Sequence, residues 1–97
     1  MKEKADLHCT KTLRIINEYG LHTRPATLIV QCLQGCEAEV TFTCKNEKVD
    51  AKSILNLLLL AVQKGEEIIV EIKGKDAVET MEKLELLFNS HFGELST

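Results

Sequence analysis

Two side chains in the run EYGLHTRPAT, Glu18 to Thr27, can do chemistry together. A neutral His22 offers a ring nitrogen as a nucleophile, and Arg24 carries a permanent cation whose planar fork of donors suits phosphate oxygens. Pro25, the only proline of the chain, follows directly. Proline fits the first turn of a helix, where its missing N–H is one of the donors that would stay unpaired anyway. The spacing therefore predicts a helix opening near Thr23, with His22 in the N-cap place and the turn before it made at Gly20. The backbone N–H groups of Thr23 and Arg24 then point outward without intrahelical partners, and such a helix end attracts anions. An imidazole, free amides and a guanidinium converge on one point. Phosphoryl transfer onto His22 is the chemistry this cluster suits, because positioning and charge stabilisation are most of what that reaction needs. The structural alternative is a solvated helix end that happens to carry a histidine and an arginine.

The elements that must position these groups follow from hydrophobic period. From Lys11, Leu13 and Ile15 alternate with Thr12, Arg14 and Ile16, the pattern of a half-buried strand that Gly20 ends. Ala26, Ile29, Val30 and Leu33 stand at the spacing of an amphipathic helix, expected over Thr23 to Gln34 and closed by Gly35 in a left-handed conformation. Ala38, Val40, Phe42 and Cys44 alternate with Glu39, Thr41 and Thr43, a strand with one wet face. KNEK, from Lys45, reads as a turn and KVDAK, from Lys48, as a short return strand. Ser53 opens a leucine-rich helix. Ile68, Val70 and Ile72 mark a fourth strand within Glu66 to Gly74. From Asp76, a last helix places Ala77, Met81, Leu84, Leu87 and Phe88 on one face, with Val78 and Leu86 at its margins. Asp76 is expected to cap it, with Glu79 completing a capping-box-like pattern. The order βαββαβα calls for an α+β, open-faced β-sandwich: a four-stranded antiparallel sheet covered on one face by three helices. Residues 1–10 are expected to form an N-terminal extension and residues 11–97 a single domain.

Composition narrows the function. A chain of 97 residues, 44% hydrophobic and 28% charged, suits one modest core. A net charge of −3 and an aromatic content of 4% argue against nucleic acid as a partner. The longest apolar run, Ile54 to Val62, contains Asn56 and falls well short of the roughly 20 residues that span a bilayer, so no membrane role is expected. The charged start lacks an apolar signal region, and a cytoplasmic location is the expectation. Reduced thiols are then expected at Cys9, Cys32, Cys36 and Cys44. Cys32 and Cys36 would share a helical face and His8 with Cys9 would add soft ligands, but no zinc-type spacing is present; small buried hydrophobes are expected, with no metal and no cofactor.

The heptapeptide GLHTRPA, Gly20 to Ala26, resembles the phosphorylation-site motif of HPr, the histidine-containing phosphocarrier of the bacterial phosphoenolpyruvate-dependent phosphotransferase system. The resemblance runs from about Lys11 to Phe92 through AKSILNLLLL, QKGEEIIVEIKG and the last helix, while LLFNSHFGE looks more like the nitrogen-branch relative, NPr. It implies that His22 accepts a phosphoryl group from enzyme I and passes it to IIA proteins or domains, that the amides just after His22, from Thr23 and Arg24, hold the phosphate, and that Arg24 assists. Ser53 matches the serine that a dedicated HPr kinase/phosphorylase modifies in many Gram-positive-type members; a plain N-cap role is the alternative, and the two are compatible. Family resemblance also puts Ile54, Leu55 and Leu58 on the docking face beside His22, with Leu57 and Leu60 inward, and implies a monomer. Tyr19 departs from the small polar residue often found there, and Ala61 replaces a common glycine. His8 and His91 have no comparable constellation and are expected at the surface. The reading is a stoichiometric carrier rather than a turnover enzyme. Its alternatives are a regulatory module read through Ser53, a nitrogen-branch carrier without sugar transport, and a small phosphohistidine hydrolase, for which a chain of this length leaves little room for a pocket.

Overall fold

Alternating strands sort their apolar residues onto one face of a sheet, and the helices bury that face. The computed structural model describes residues 7–94. In chain order it contains β1 (His8–Arg14), α1 (Thr23–Leu33), β2 (Glu39–Cys44), β3 (Glu47–Asp50), α2 (Ile54–Leu60), β4 (Glu67–Lys73), α3 (Ala77–Asn89) and a tight terminal turn, His91–Gly93. The strands form one antiparallel sheet in the order β1-β4-β2-β3. Phe42 opposite Val70 and Val40 opposite Ile72 set the register of the central pair, and all four side chains are buried. A slip of one residue would turn them to water. Against them pack Ile29, Leu33, Leu57, Leu84, Phe88 and Phe92 from the helical layer and the terminal turn. The outer face stays wet and charged, with Glu71 reaching Lys48 at 3.2 Å and His8 at 3.5 Å. This is the open-faced α+β sandwich expected from the pattern of elements.

Several boundaries differ from those read from periodicity. β1 begins at His8, not Lys11, because His8, Cys9 and Thr10 pair with Lys73, Ile72 and Glu71 of β4. A strand edge needs backbone partners more than apolar side chains, so residues 8–10 of the expected extension join the sheet; residues 1–6 lie outside the described residues. The chain leaves the sheet at Arg14, well before Gly20, and Ile15 is held instead by Glu66 O at 3.0 Å. α1 closes at Leu33, with Gln34 extended and Gly35 at φ +87°. The hairpin turn is only Lys45 and Asn46, at φ 51° and 69°, the pair of left-handed residues that a two-residue hairpin requires. Its return strand accordingly starts one residue early, and the Asp50 carboxylate ends it by accepting from Lys52 N at 2.9 Å.

Asp76 stands at the N-cap of α3, but its side chain makes no capping bond, so the expected capping box with Glu79 does not form. The carboxylate instead accepts from Glu37 N at 2.8 Å and Ala38 N at 2.9 Å. It thereby ties the α1–β2 connection to the start of α3. The bond from the Glu37 N–H, followed by that from Ala38, holds the Asp76 carboxyl below the usual aspartate range.

Candidate functional site

Gly20 has two reasons to be glycine. It takes φ +67°, and any Cβ there would collide with the carbonyl oxygen of Val62. Gly20 N donates to Asn17 O at 3.0 Å and Leu21 N to Val62 O at 2.8 Å, so the strap before His22 is stitched to the chain just beyond α2. Leu21 is buried, which fixes where the next residue must emerge. His22 is the N-cap of α1, in extended backbone geometry, and its imidazole does not cap the helix. Its carbonyl accepts from Ala26 N at 3.0 Å, past the buried Pro25. The first-turn amides of Thr23 and Arg24 thus receive no side-chain cap from His22.

The half-buried imidazole lies against the C-terminal turn. His22 Nε2 is 3.0 Å from Glu94 Oε2 and shut off from solvent, although the contact lacks the alignment of a hydrogen bond. Arg24 Nη1 donates to Phe92 O at 2.5 Å and lies 3.8 Å from the same Glu94 oxygen. Asn17 Nδ2 donates to Glu94 Oε1 at 2.7 Å and to His91 O at 2.8 Å. On the other side, the Tyr19 ring meets the His22 ring edge to face, with centroids 6.0 Å apart. Tyr19 is otherwise exposed.

The turn carrying these acceptors is held in an unfavourable backbone. His91 and Phe92 both take φ 55°, followed by Gly93 at 73°. For a residue with a Cβ, the left-handed region costs roughly 1–2 kcal/mol. Buried Phe92, whose ring sits 4.9 Å from that of Phe88, and the bonds from Asn17 and Arg24 oppose that strain.

Ser53 is the N-cap of α2, its hydroxyl accepting from Asn56 N at 3.2 Å. Leu57 and Leu60 point inward and are buried; Ile54, Leu55 and Leu58 are exposed. Leu59 is the most exposed of the set, at 69%. α2 packs on α1, and the residues after its C-terminal end hold the strap leading into His22, so Ser53 and that strap attach to opposite ends of a seven-residue helix. Ala61, which ends α2, sits in the left-handed region at φ 55°, a position that suits glycine.

Asn17, Leu59, Glu94 and the Phe92 carbonyl are absent from the set found in the sequence. Asn17 and Glu94 lie 77 residues apart, and no local spacing relates them. The resemblance of the C-terminal LLFNSHFGE was the one signal near Glu94. Cys44 is buried and Cys9, Cys32 and Cys36 are half-buried, all as free thiols. Burial pushes the Cys32 and Cys44 thiols up, away from reactive thiolate. Among the described residues no group of three His, Cys, Asp or Glu side chains could hold a metal ion. No helix there is long and apolar enough to cross a membrane. His8 is exposed and His91 half-buried, away from any second constellation of this kind.

Comparison with known proteins gives a consistent answer. Residues 9–90 match the family model described as the PTS HPr component phosphorylation site. The phosphocarrier protein HPr of Chlamydia trachomatis serovar D is 40% identical over 95 residues, covering 98% of this chain and 85% of that protein. Its counterpart in Chlamydia muridarum is 44% identical over 81 residues, covering 84% of this chain and 78% of the relative. Among solved structures, HPr-C-His from Thermoanaerobacter tengcongensis superposes with a TM-score of 0.87 at 35% identity, covering 91% of this chain and 99% of that one.

Proposed function

The chain belongs to the HPr family of phosphocarriers of the phosphotransferase system, and on that premise we propose that it carries a phosphoryl group on Nδ1 of His22. The observation that carries this reading is the Glu94 carboxylate against Nε2. A carboxylate facing one ring nitrogen favours the proton there and leaves the lone pair on the other, so Nδ1 is the nucleophile. The N–P bond forms at Nδ1 as the bond from phosphorus to the donor, phosphorylated enzyme I, breaks. The same bond breaks in turn when a IIA protein or domain accepts the group. The transferred oxygens would meet the uncapped amides of Thr23 and Arg24, and the Arg24 guanidinium, more than half exposed, retains donors beyond the one it gives to Phe92. The protein is a stoichiometric intermediate in this reading, acting in the cytoplasm as a monomer.

Incubation with enzyme I and labelled phosphoenolpyruvate tests it. A phosphoramidate is acid-labile, so the label should be lost in acid and absent from His22→Ala. Acid-stable label, or label that survives that substitution, overturns the reading.

A second level of control rests on Ser53. Its half-buried hydroxyl caps α2 beside exposed Ile54 and Leu55, which with Leu58 form the proposed docking face. A phosphate on Ser53 would sit at the favourable end of the helix dipole and leave α2 intact, while placing about −1.5 to −2 charges where a partner must exclude water. An HPr kinase/phosphorylase is the partner this implies.

A further inference from the structure

We propose that Asn17 is a positioning residue for this carrier, holding Glu94 so that its second oxygen faces His22. This rests on the reading of His22 as the phosphoryl acceptor. Asn17 is 2% exposed and lies in the segment between β1 and the helix that His22 begins. Its amide nitrogen gives both hydrogens to the C-terminal turn, to the His91 carbonyl and to Glu94 Oε1. Both partners are pure acceptors, so the amide can face them only with its nitrogen. The other half of the amide, Oδ1, is buried without a hydrogen-bond partner among the described residues. That unpaired oxygen offsets part of the stability that the two donated bonds give the turn. What the amide supplies is orientation.

The carboxylate of Glu94 is divided between two tasks. Oε1 is held by Asn17, and Oε2 stands 3.0 Å from His22 Nε2 and 3.8 Å from Arg24 Nη1. A carboxylate is rigid and planar, so fixing one oxygen aims the other. Without Asn17 the carboxylate keeps no side-chain hydrogen bond among the described residues, only its unaligned contact with His22 and the 3.8 Å approach of Arg24 Nη1, so the half-buried glutamate side chain can turn toward solvent. The imidazole then loses the neighbour that distinguishes its two nitrogens. Asn17 touches no reacting atom; it acts through Glu94.

The test is the tautomer of His22 in the unphosphorylated full chain, read from nitrogen-15 chemical shifts, together with the rate of labelling by enzyme I and thermal unfolding. Asn17→Leu removes the donors at similar volume. It should shift His22 from the Nε2-protonated form toward a mixture and slow labelling about tenfold, the effect of losing one oriented hydrogen bond. Asn17→Asp sets a second carboxylate against Glu94 and should shift the tautomer further at nearly unchanged shape. In a Glu94→Ala background, Asn17→Leu should change neither quantity. An unchanged tautomer in Asn17→Leu and Asn17→Asp overturns the proposal, as does a full additional loss on Glu94→Ala, which would mark Asn17 as purely structural. Absence of label on the wild-type protein would instead sink the carrier reading, while the tautomer comparison would still decide the role of Asn17.

Discussion

The N-termini of α1 and α2 treat the same problem in opposite ways. At α2 the Ser53 hydroxyl accepts from Asn56 N, so one of the orphan donors of the helix end is satisfied within the chain. At α1 the N-cap residue is His22, whose ring turns away to Glu94 and leaves the end uncapped. A capping side chain contributes about 1 kcal/mol, so the α1 end forgoes stability that the α2 end keeps. Donors left open in this way remain available to an anion from outside. An end that is capped by its own hydroxyl offers a place for covalent modification without asking the helix to rearrange. In this molecule the uncapped end is the one at which we propose that transfer takes place.

The largest expected effect comes from making the two ends alike. His22→Ser places a capping hydroxyl on α1 and should raise stability by about 1 kcal/mol while abolishing labelling by enzyme I. Calorimetry and a labelling assay on the same sample read both; a variant that is labelled normally would remove His22 from the mechanism. Next in size, Arg24→Ala should slow labelling about tenfold to a hundredfold, the range for loss of one charge-stabilising donor group, with a stability change within about 1 kcal/mol. A strong shift in unfolding with an unchanged rate would make Arg24 a brace for the Phe92 turn instead.

At the other end, Ser53→Ala should destabilise by about 1 kcal/mol through loss of the cap and leave labelling near normal. Ser53→Asp should keep the wild-type circular dichroism and melting, since aspartate also caps and suits the dipole, yet slow labelling. Equal rates for the two variants would leave Ser53 as a cap alone. The smallest effect is expected at the third helix end, where Asp76 caps nothing but braces Glu37 and Ala38. Because folding lowers its pKa, its contribution is complete above the ordinary aspartate range, near pH 4, and disappears as the pH falls through the folded value. The melting temperature of Asp76→Ala should therefore lie below wild type at pH 7, and the gap should shrink on acidification. A gap that is constant with pH would show that the carboxylate charge plays no part.

Period and turn chemistry are properties of neighbouring residues, and they were legible without a structure. The alternation of Val40, Phe42 and Cys44, and of Ile68, Val70 and Ile72, specifies which strand face is apolar whatever the strands pair with. Gly20, His22, Arg24 and Pro25 lie within six residues, so the helix start and the chemistry gathered there could be read locally. Even there, the reason for Gly20 was half hidden, since the Val62 carbonyl that excludes a Cβ comes from the far side of α2. A run of consecutive leucines carries no period of its own, so the inward place of Leu57 and Leu60 came from the family resemblance, and the exposure of Leu59 only from the packing of α2 on α1. The start of β1 at His8 depended on the backbone of β4, and the carboxylate of Asp76 found amides in a connection 38 residues away rather than those of its own helix. Asn17 and Glu94 became neighbours of His22 only when the chain closed its ends on each other. The sequence by itself determined the elements and the local gathering of histidine, arginine and proline at the start of α1; tertiary structure alone decided what stands against the second nitrogen of His22. The physical reason is that backbone geometry couples residues a few positions apart, whereas contacts between distant residues exist only once burial of the shared core has brought their elements together.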